Sequence, residues 1–175
     1  MKLADSAIIV RIKTQFMLFA ALAVGGCAQV GQAGSKGLNV GDPFPDPATF
    51  SIEGKLPETL KGKVVVVDFW ASWCGPCRSS NKLLTKIYPK YKAKGFEIFG
   101  VSLDDDKDKW ANAIKKDKIS WLQVNDGGGW NAQTAIQWGI NAIPTSYLID
   151  KNGRLVAMDL EGKELEKALK DLLED

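Results

Sequence analysis

The chain has no histidine and only three cysteines in 175 residues. A zinc site needs four Cys or His ligands at regular spacing. With Cys27 far upstream of Cys74 and Cys77, that set cannot be filled, and no metal is implied. Long apolar runs are also scarce. The longest is Phe16-Met17-Leu18-Phe19-Ala20-Ala21-Leu22-Ala23-Val24, nine residues, whereas a membrane-spanning helix needs about 20. An excess of one charge is missing too. Lys and Arg number 23 against 21 Asp and Glu, and without residues 1–27 the balance is 20 to 20. Neither nucleic acid nor an anionic membrane surface is therefore an implied partner. The runs Asp104-Asp105-Asp106 and Lys115-Lys116 read as solvated helix ends. No segment repeats. At 45% hydrophobic and 25% charged residues, the composition is that of a soluble globular protein, with length for one domain and an extension.

The extension is at the start. Lys2, Arg11 and Lys13 precede the apolar run, which ends at Gly25-Gly26-Cys27. A positive start, a short apolar core and small residues describe a secretory signal. Val24-Gly25-Gly26-Cys27 resembles a bacterial lipobox, in which the cysteine is lipidated and becomes the new N-terminus. That reading also uses an otherwise leftover cysteine of an exported chain; the alternative is an ordinary cleaved signal. Ala28, standing where an Asp would mark retention at an inner membrane, favours the outer one. Residues 28–37 have the composition of a flexible tether, so the folded domain is expected over 38–175.

Trp73-Cys74-Gly75-Pro76-Cys77 carries the chemistry. It follows the apolar run Val64-Val65-Val66-Val67-Asp68-Phe69-Trp70, so a buried strand runs into a helix start. Two cysteines three apart can close a disulfide across one helical turn. A helix N-terminus offers unpaired N–H groups and partial positive charge, both of which favour a thiolate. Thiolates so placed have pKa values of roughly 3.5–7.5 and are the nucleophiles of disulfide exchange. A merely structural disulfide closing so short a loop would constrain the unfolded chain little.

The remaining pattern alternates. Strands are expected over 49–52, 64–70, 96–102, 121–124, 145–150 and 155–158. Helices are expected from Pro76 to about Lys94, from Asp105 to about Lys118, over 131–138 and over 163–173. The first helix presents Leu83, Leu84, Ile87 and Tyr91 inward and is expected to kink at Pro89. The second presents Trp110, Ala113, Ile114 and Asp117. Gly139 stops the third, and Asn152-Gly153 joins the last two strands as a hairpin. Alternation followed by a hairpin means an α/β three-layer sandwich with a mixed central sheet.

Val67-Asp68-Phe69-Trp70-Ala71-Ser72-Trp73-Cys74-Gly75-Pro76-Cys77-Arg78 resembles the active-site segment of thioredoxin-fold oxidoreductases. Gly139-Ile140-Asn141-Ala142-Ile143-Pro144-Thr145 resembles the cis-proline segment of the same fold. Phe50-Ser51-Ile52-Glu53-Gly54 and the insert between Phe96 and Val124 are similar to the TlpA/ResA-like branch, whose members are exported, membrane-tethered thiol–disulfide oxidoreductases.

The residues take their roles accordingly. Cys74, ahead of the helix, is expected to be exposed and to attack; Cys77, one turn in, to be buried and to resolve the mixed disulfide. Pro76 suits the first helical turn because it has no N–H to leave unpaired. Gly75 lets a partner backbone approach. Trp73 either flanks the sulfurs or is a packing aromatic. The resemblance implies a cis Ile143–Pro144 bond in a loop that lies against the cysteines and binds substrate as an added strand; on the residues alone, Pro144 could simply start an edge strand. Asp68 ends a run of four valines, so it is either a solvated strand-end acid or an acid with a raised pKa. Thioredoxin has an acid here, behind the resolving cysteine. TlpA/ResA-like chains more often have Asn here and a Glu shortly after the second cysteine. This chain has Ser79, Ser80 and Asn81 there, and Lys82 where a proline is usual, so the helper acid is assigned to Asp68.

Three functions follow. The first is a reductase of extracytoplasmic protein disulfides on the periplasmic side of a bacterial membrane. It would act as a monomer without a cofactor, anchored only through lipid on Cys27, and be fed by a membrane electron donor of the thioredoxin-reducing type. A role in cytochrome c maturation goes with the missing Glu and stays an open alternative. The others are a disulfide oxidant or isomerase, and a non-catalytic binding module, against which the intact Cys74 and Cys77 stand.

Overall fold

Four consecutive valines open strand β1 (Val64–Trp70), and all seven of its residues are buried. β-Branched side chains suit a pleated surface covered on both sides. The computed structural model describes residues 60–174; the signal segment, Cys27, the tether and the strand expected at 49–52 lie outside them. The other strands are β2 (Phe96–Ser102), β3 (Leu122–Val124), β4 (Thr145–Ile149) and β5 (Leu155–Met158). They form one sheet in the order β3-β2-β1-β4-β5, which puts β1 in the middle. β2 runs parallel to β1 with Val64 opposite Phe96 and Asp68 opposite Gly100, and β3 runs parallel to β2. β4 is antiparallel to β1, and β5 to β4. The sheet is mixed and the fold α/β, as the alternating pattern predicts.

Successive side chains of a strand point to opposite faces. Val64, Val66, Asp68 and Trp70 therefore share one face, and Val65, Val67 and Phe69 the other. The first face is covered by α1 (Gly75–Tyr91), whose Tyr88 ring lies 6.3 Å from that of Phe96. Helix α4 (Gly162–Leu173) packs beside α1, burying Leu165 and Leu169. Helix α2 (Lys107–Asp117) is tied to α1 by the Arg78–Asp117 ion pair. On the opposite face, Phe69 meets the rings of Trp138 and Tyr147 at 5.7 and 6.2 Å, and Trp138 caps the short α3 (Gln133–Gln137). Gly100 permits one close approach: a Cβ there would lie 2.1 Å from Gln123 Nε2, and Gln123 Oε1 accepts from Trp70 Nε1 at 2.8 Å.

The bounds of β1, β2 and β5 and the inward set of α2 are those read from the pattern. Helix α1 differs. It runs on through Pro89 and ends at Tyr91, and its buried stripe is Cys77, Asn81, Leu84, Ile87, Tyr88 and Tyr91, with Leu83 exposed. Cys77 and Asn81 set the inward direction, and Leu83 is turned about 100° from Leu84. Trp121 precedes β3 rather than opening it, and its ring sits 5.7 Å from Tyr88. The third helix is shorter than 131–138, and Gly139 follows it at φ 61°.

Candidate active site

Beyond Trp70 the chain passes through Ala71, Ser72 and Trp73 and turns into α1 with Cys74 as its N-cap, in extended backbone at φ −81° and ψ 104°. The sulfur occupies the place of a capping oxygen: the Cys77 backbone N–H donates to Cys74 Sγ at 3.2 Å. Pro76 lies in the first turn, which holds no acidic residue. One N–H and the positive end of the helix dipole therefore act on the Cys74 sulfur, with no carboxylate in that turn to oppose them.

Cys74 and Cys77 are joined by a disulfide, with Cα atoms 5.3 Å apart. Cys77 is 1% exposed and Cys74 6%. Cys74 is thus the more accessible of the two residues, but it is buried, not exposed as its position ahead of the helix implies. Its sulfur is taken up by the bond to Cys77, and the Ile143 carbonyl oxygen lies 3.9 Å from it. The Ile143–Pro144 peptide is cis and leads into β4, which pairs with β1; the central sheet thereby brings residues about 70 positions apart against one another. Gly75 and Pro76 are exposed beside the disulfide. Trp73 is 56% exposed, which excludes a core-packing role.

Asp68 is buried at the centre of β1, on the sheet face beneath α1, and so is not a solvated strand-end acid. Its carboxyl is pushed up to about 7, first by burial and then by the charges of Glu161 and Asp159. A group half-ionised near neutrality can accept a proton in one step and return it in another. Among the described residues no three His, Cys, Asp or Glu side chains converge as a metal site.

Two features of the site escape the sequence. Asp104, expected as a solvated helix end, is 1% exposed. Its carboxylate accepts from Ser72 N at 2.8 Å, Ser72 Oγ at 2.5 Å and Ser102 Oγ at 2.8 Å. Asn125 Nδ2 donates to Asp104 O at 2.7 Å and Ser102 Oγ at 3.0 Å. Arg78 Nη1 donates to Ser72 O at 3.0 Å, while the rest of its guanidinium grips Asp117. Ser72 is therefore held at both its N–H and its carbonyl, two residues ahead of Cys74. The second feature is Trp130, 44% exposed with its ring centroid 6.2 Å from that of Trp73. Neither had a signal in the sequence beyond its residue type.

Asp104→Ala removes the acceptor of three donors, of which Ser102 Oγ is fully buried. Orphaned groups of this kind cost about 1–3 kcal/mol each, and rotation of the hydroxyls recovers part. A loss of about 3 kcal/mol, on the order of 10 °C in Tm, is expected by thermal circular dichroism, with a smaller loss for Asp104→Asn. A melt within about 2 °C of the parent would show that the clamp contributes little.

Over residues 39–173 the chain matches the Redoxin family. The thiol–disulfide oxidoreductase ResA of Bacillus thuringiensis subsp. konkukian is 32% identical over 138 residues, 78% of each chain. The thioredoxin domain of a thiol–disulfide oxidoreductase from Bacteroides vulgatus superposes with a TM-score of 0.65 at 31% identity, covering 78% of this chain and 99% of that one. A thiol–disulfide oxidoreductase from Bacteroides fragilis does so at 0.63 and 36% identity, covering 77% of this chain and 100% of that one.

Proposed function

This chain belongs to the Redoxin family and is a thiol–disulfide oxidoreductase with a Cys74–Cys77 pair, and on that premise we propose that it reduces disulfides of extracytoplasmic proteins. The observation that carries this is the Cys77 N–H aimed at Cys74 Sγ at the helix N-terminus. In the reduced protein that placement favours the Cys74 thiolate.

The reaction runs in two exchanges. Cys74 S⁻ attacks one sulfur of the substrate disulfide and forms a mixed disulfide, and the other substrate sulfur leaves as a thiolate. Cys77 then gives its proton to the Asp68 carboxylate and attacks Cys74 Sγ. The first substrate sulfur leaves, and the Cys74–Cys77 disulfide closes. The substrate gains two electrons, and a membrane dithiol donor of the thioredoxin-reducing type returns two to the protein. The Ile143–Pro144 backbone takes the substrate as an added strand, with Trp73, Gly75 and Pro76 lining the approach. The reducing direction is supported by the Gly75-Pro76 dipeptide, which resembles that of reducing members; the ordinary oxidants differ from them by over about 100 mV, where 30 mV is worth about 1.4 kcal/mol. The reading places the domain on the periplasmic side, anchored through lipid on Cys27 at the outer membrane.

Cys77→Ser tests it. Without the second thiol, the mixed disulfide at Cys74 has no fast internal exit, so the variant expressed in its native host is expected to retain substrate proteins covalently. Apocytochromes with Cys-x-x-Cys-His segments among them would point to haem maturation, and a broad mixture to a general reductase. Recovery of the adducts in the detergent phase, lost when Cys27 is also Ala, tests the anchor in the same preparation. Capture of nothing beyond low-molecular-weight thiols would end the protein-reductase reading.

A further inference from the structure

Residues 127–129 are three glycines in succession, all at positive φ: 74°, 87° and 55°. Only glycine adopts such a run without strain. A Cβ at Gly129 would also lie 3.0 Å from both Asp105 carboxylate oxygens, so that exposed side chain would have to shift. The turn is well fastened. Gly127 N donates to Asn125 Oδ1 at 3.0 Å, Asp126 Oδ2 accepts from Thr134 N and Oγ1 at 3.1 Å, and Asn131 N donates to Gly128 O at 2.8 Å. The product of this backbone is the placement of Trp130 against Trp73, rings tilted at 53°, with 56% of Trp73 and 44% of Trp130 exposed and Trp73 adjoining Cys74 in the chain. Two tryptophans held together outside the core form a contiguous apolar surface, which soluble proteins keep where something binds.

Resting on the reading of Cys74 as the attacking sulfur, we propose that Trp130 is a specificity-determining residue: with Trp73 it forms a wall that selects polypeptide disulfides carrying an aromatic side chain beside the attacked cysteine. The occupant follows from position. A chain whose sulfur reaches Cys74 past the Ile143 carbonyl has its neighbouring residue within reach of Trp73, and a ring placed there packs on the Trp73–Trp130 surface in an edge or offset geometry. A small disulfide has nothing to place on it.

The test uses two short peptides, each with one cysteine held as a mixed disulfide with thionitrobenzoate and differing only in Phe or Ser beside that cysteine. Cys74 S⁻ bonds to the peptide sulfur, thionitrobenzoate leaves as its coloured thiolate, and Cys77 then frees the peptide thiol. With the full chain pre-reduced by dithiothreitol and then freed of it, the second-order rate constant of thionitrobenzoate release in single-turnover mixing is expected to favour the Phe peptide by about 10-fold, the difference lying in the half-saturating peptide concentration. Trp130→Ala is expected to bring the two peptides within about twofold, and Trp130→Phe to restore part of the preference. Equal use of both peptides by the wild type, or a preference undiminished in Trp130→Ala, would overturn the proposal while leaving the redox reading intact. Reduction of neither peptide would overturn both. Self-association of the wild type that Trp130→Ala abolishes would also overturn it, by assigning the wall to a second copy of the chain.

Discussion

Cys74→Ser is expected to lower protein-disulfide reduction by on the order of 10³-fold or more, to the rate of the reductant alone. A serine hydroxyl is not a nucleophile at neutral pH, and Cys77, the other thiol in the first turn of α1, is 1% exposed. The fold should survive, because serine is a favoured N-cap and its oxygen can accept the Cys77 N–H that the sulfur now takes. Loss of the disulfide matters little to stability, since the closed loop is so short. Insulin-disulfide turnover and a thermal melt on the same preparation separate the two effects. Retained turnover would move the nucleophile elsewhere; a collapsed melt would make the lost activity uninformative, and Cys74→Ala would then decide.

Asp68→Asn is expected to stabilise the protein at alkaline pH while slowing the second exchange. The carboxyl has an ordinary value of 3.8 and stands at about 7 in the folded protein, mainly through burial. The folded state thus holds its proton more tightly than the unfolded state. Ionising Asp68 therefore destabilises the fold. That penalty is absent below pH 4, grows as the pH rises from about 4 to 7, and is complete above about 7. At about 1.4 kcal/mol per pH unit, the full penalty is on the order of 4 kcal/mol. The amide has similar size and no charge, so the variant's advantage in denaturant unfolding should be several kcal/mol at pH 8 and fade towards pH 4. A constant difference across that range would mean that Asp68 does not titrate near neutrality. In single-turnover assays the variant should lag most near pH 7, where the parent carboxylate best accepts the Cys77 proton. Equal rates from pH 6 to 9 would reduce Asp68 to a structural acid.

Much of the fold was legible because it rests on short-range periodicity. The run from Val64 to Trp70 is apolar at every position but Asp68, and its length and four β-branched valines suit a strand covered on both faces. Trp110, Ala113, Ile114 and Asp117 fall on one helical stripe, and Asn152-Gly153 makes the turn that two adjoining strands require. Helix α1 departs from its expected stripe at Leu83, because its neighbouring apolar residues are compatible with more than one rotation of the helix. The helix's rotation was settled by what it packs on, the sheet face with Asp68 and the Asp117 of α2, and not by its own residues.

The site divides along the same line. The sequence by itself determined the reactive pair: Cys74 and Cys77 are three apart at a strand-to-helix junction, and their geometry depends on one helical turn. Everything that acts on them across the sheet was decided by tertiary structure. The Asp104 clamp draws together residues from the ends of three strands, and read alone Asp104-Asp105-Asp106 is only an acidic run. Its burial depends on Ser72 and Ser102, which supply donors from 32 and two positions away. The nearness of Ile143 to Cys74 depends on β4 pairing with β1, and that of Trp130 to Trp73 on a glycine turn about 55 residues downstream. Backbone periodicity is a local property, whereas a hydrogen bond or ring contact between distant residues exists only once the sheet order β3-β2-β1-β4-β5 has set which loops share an edge.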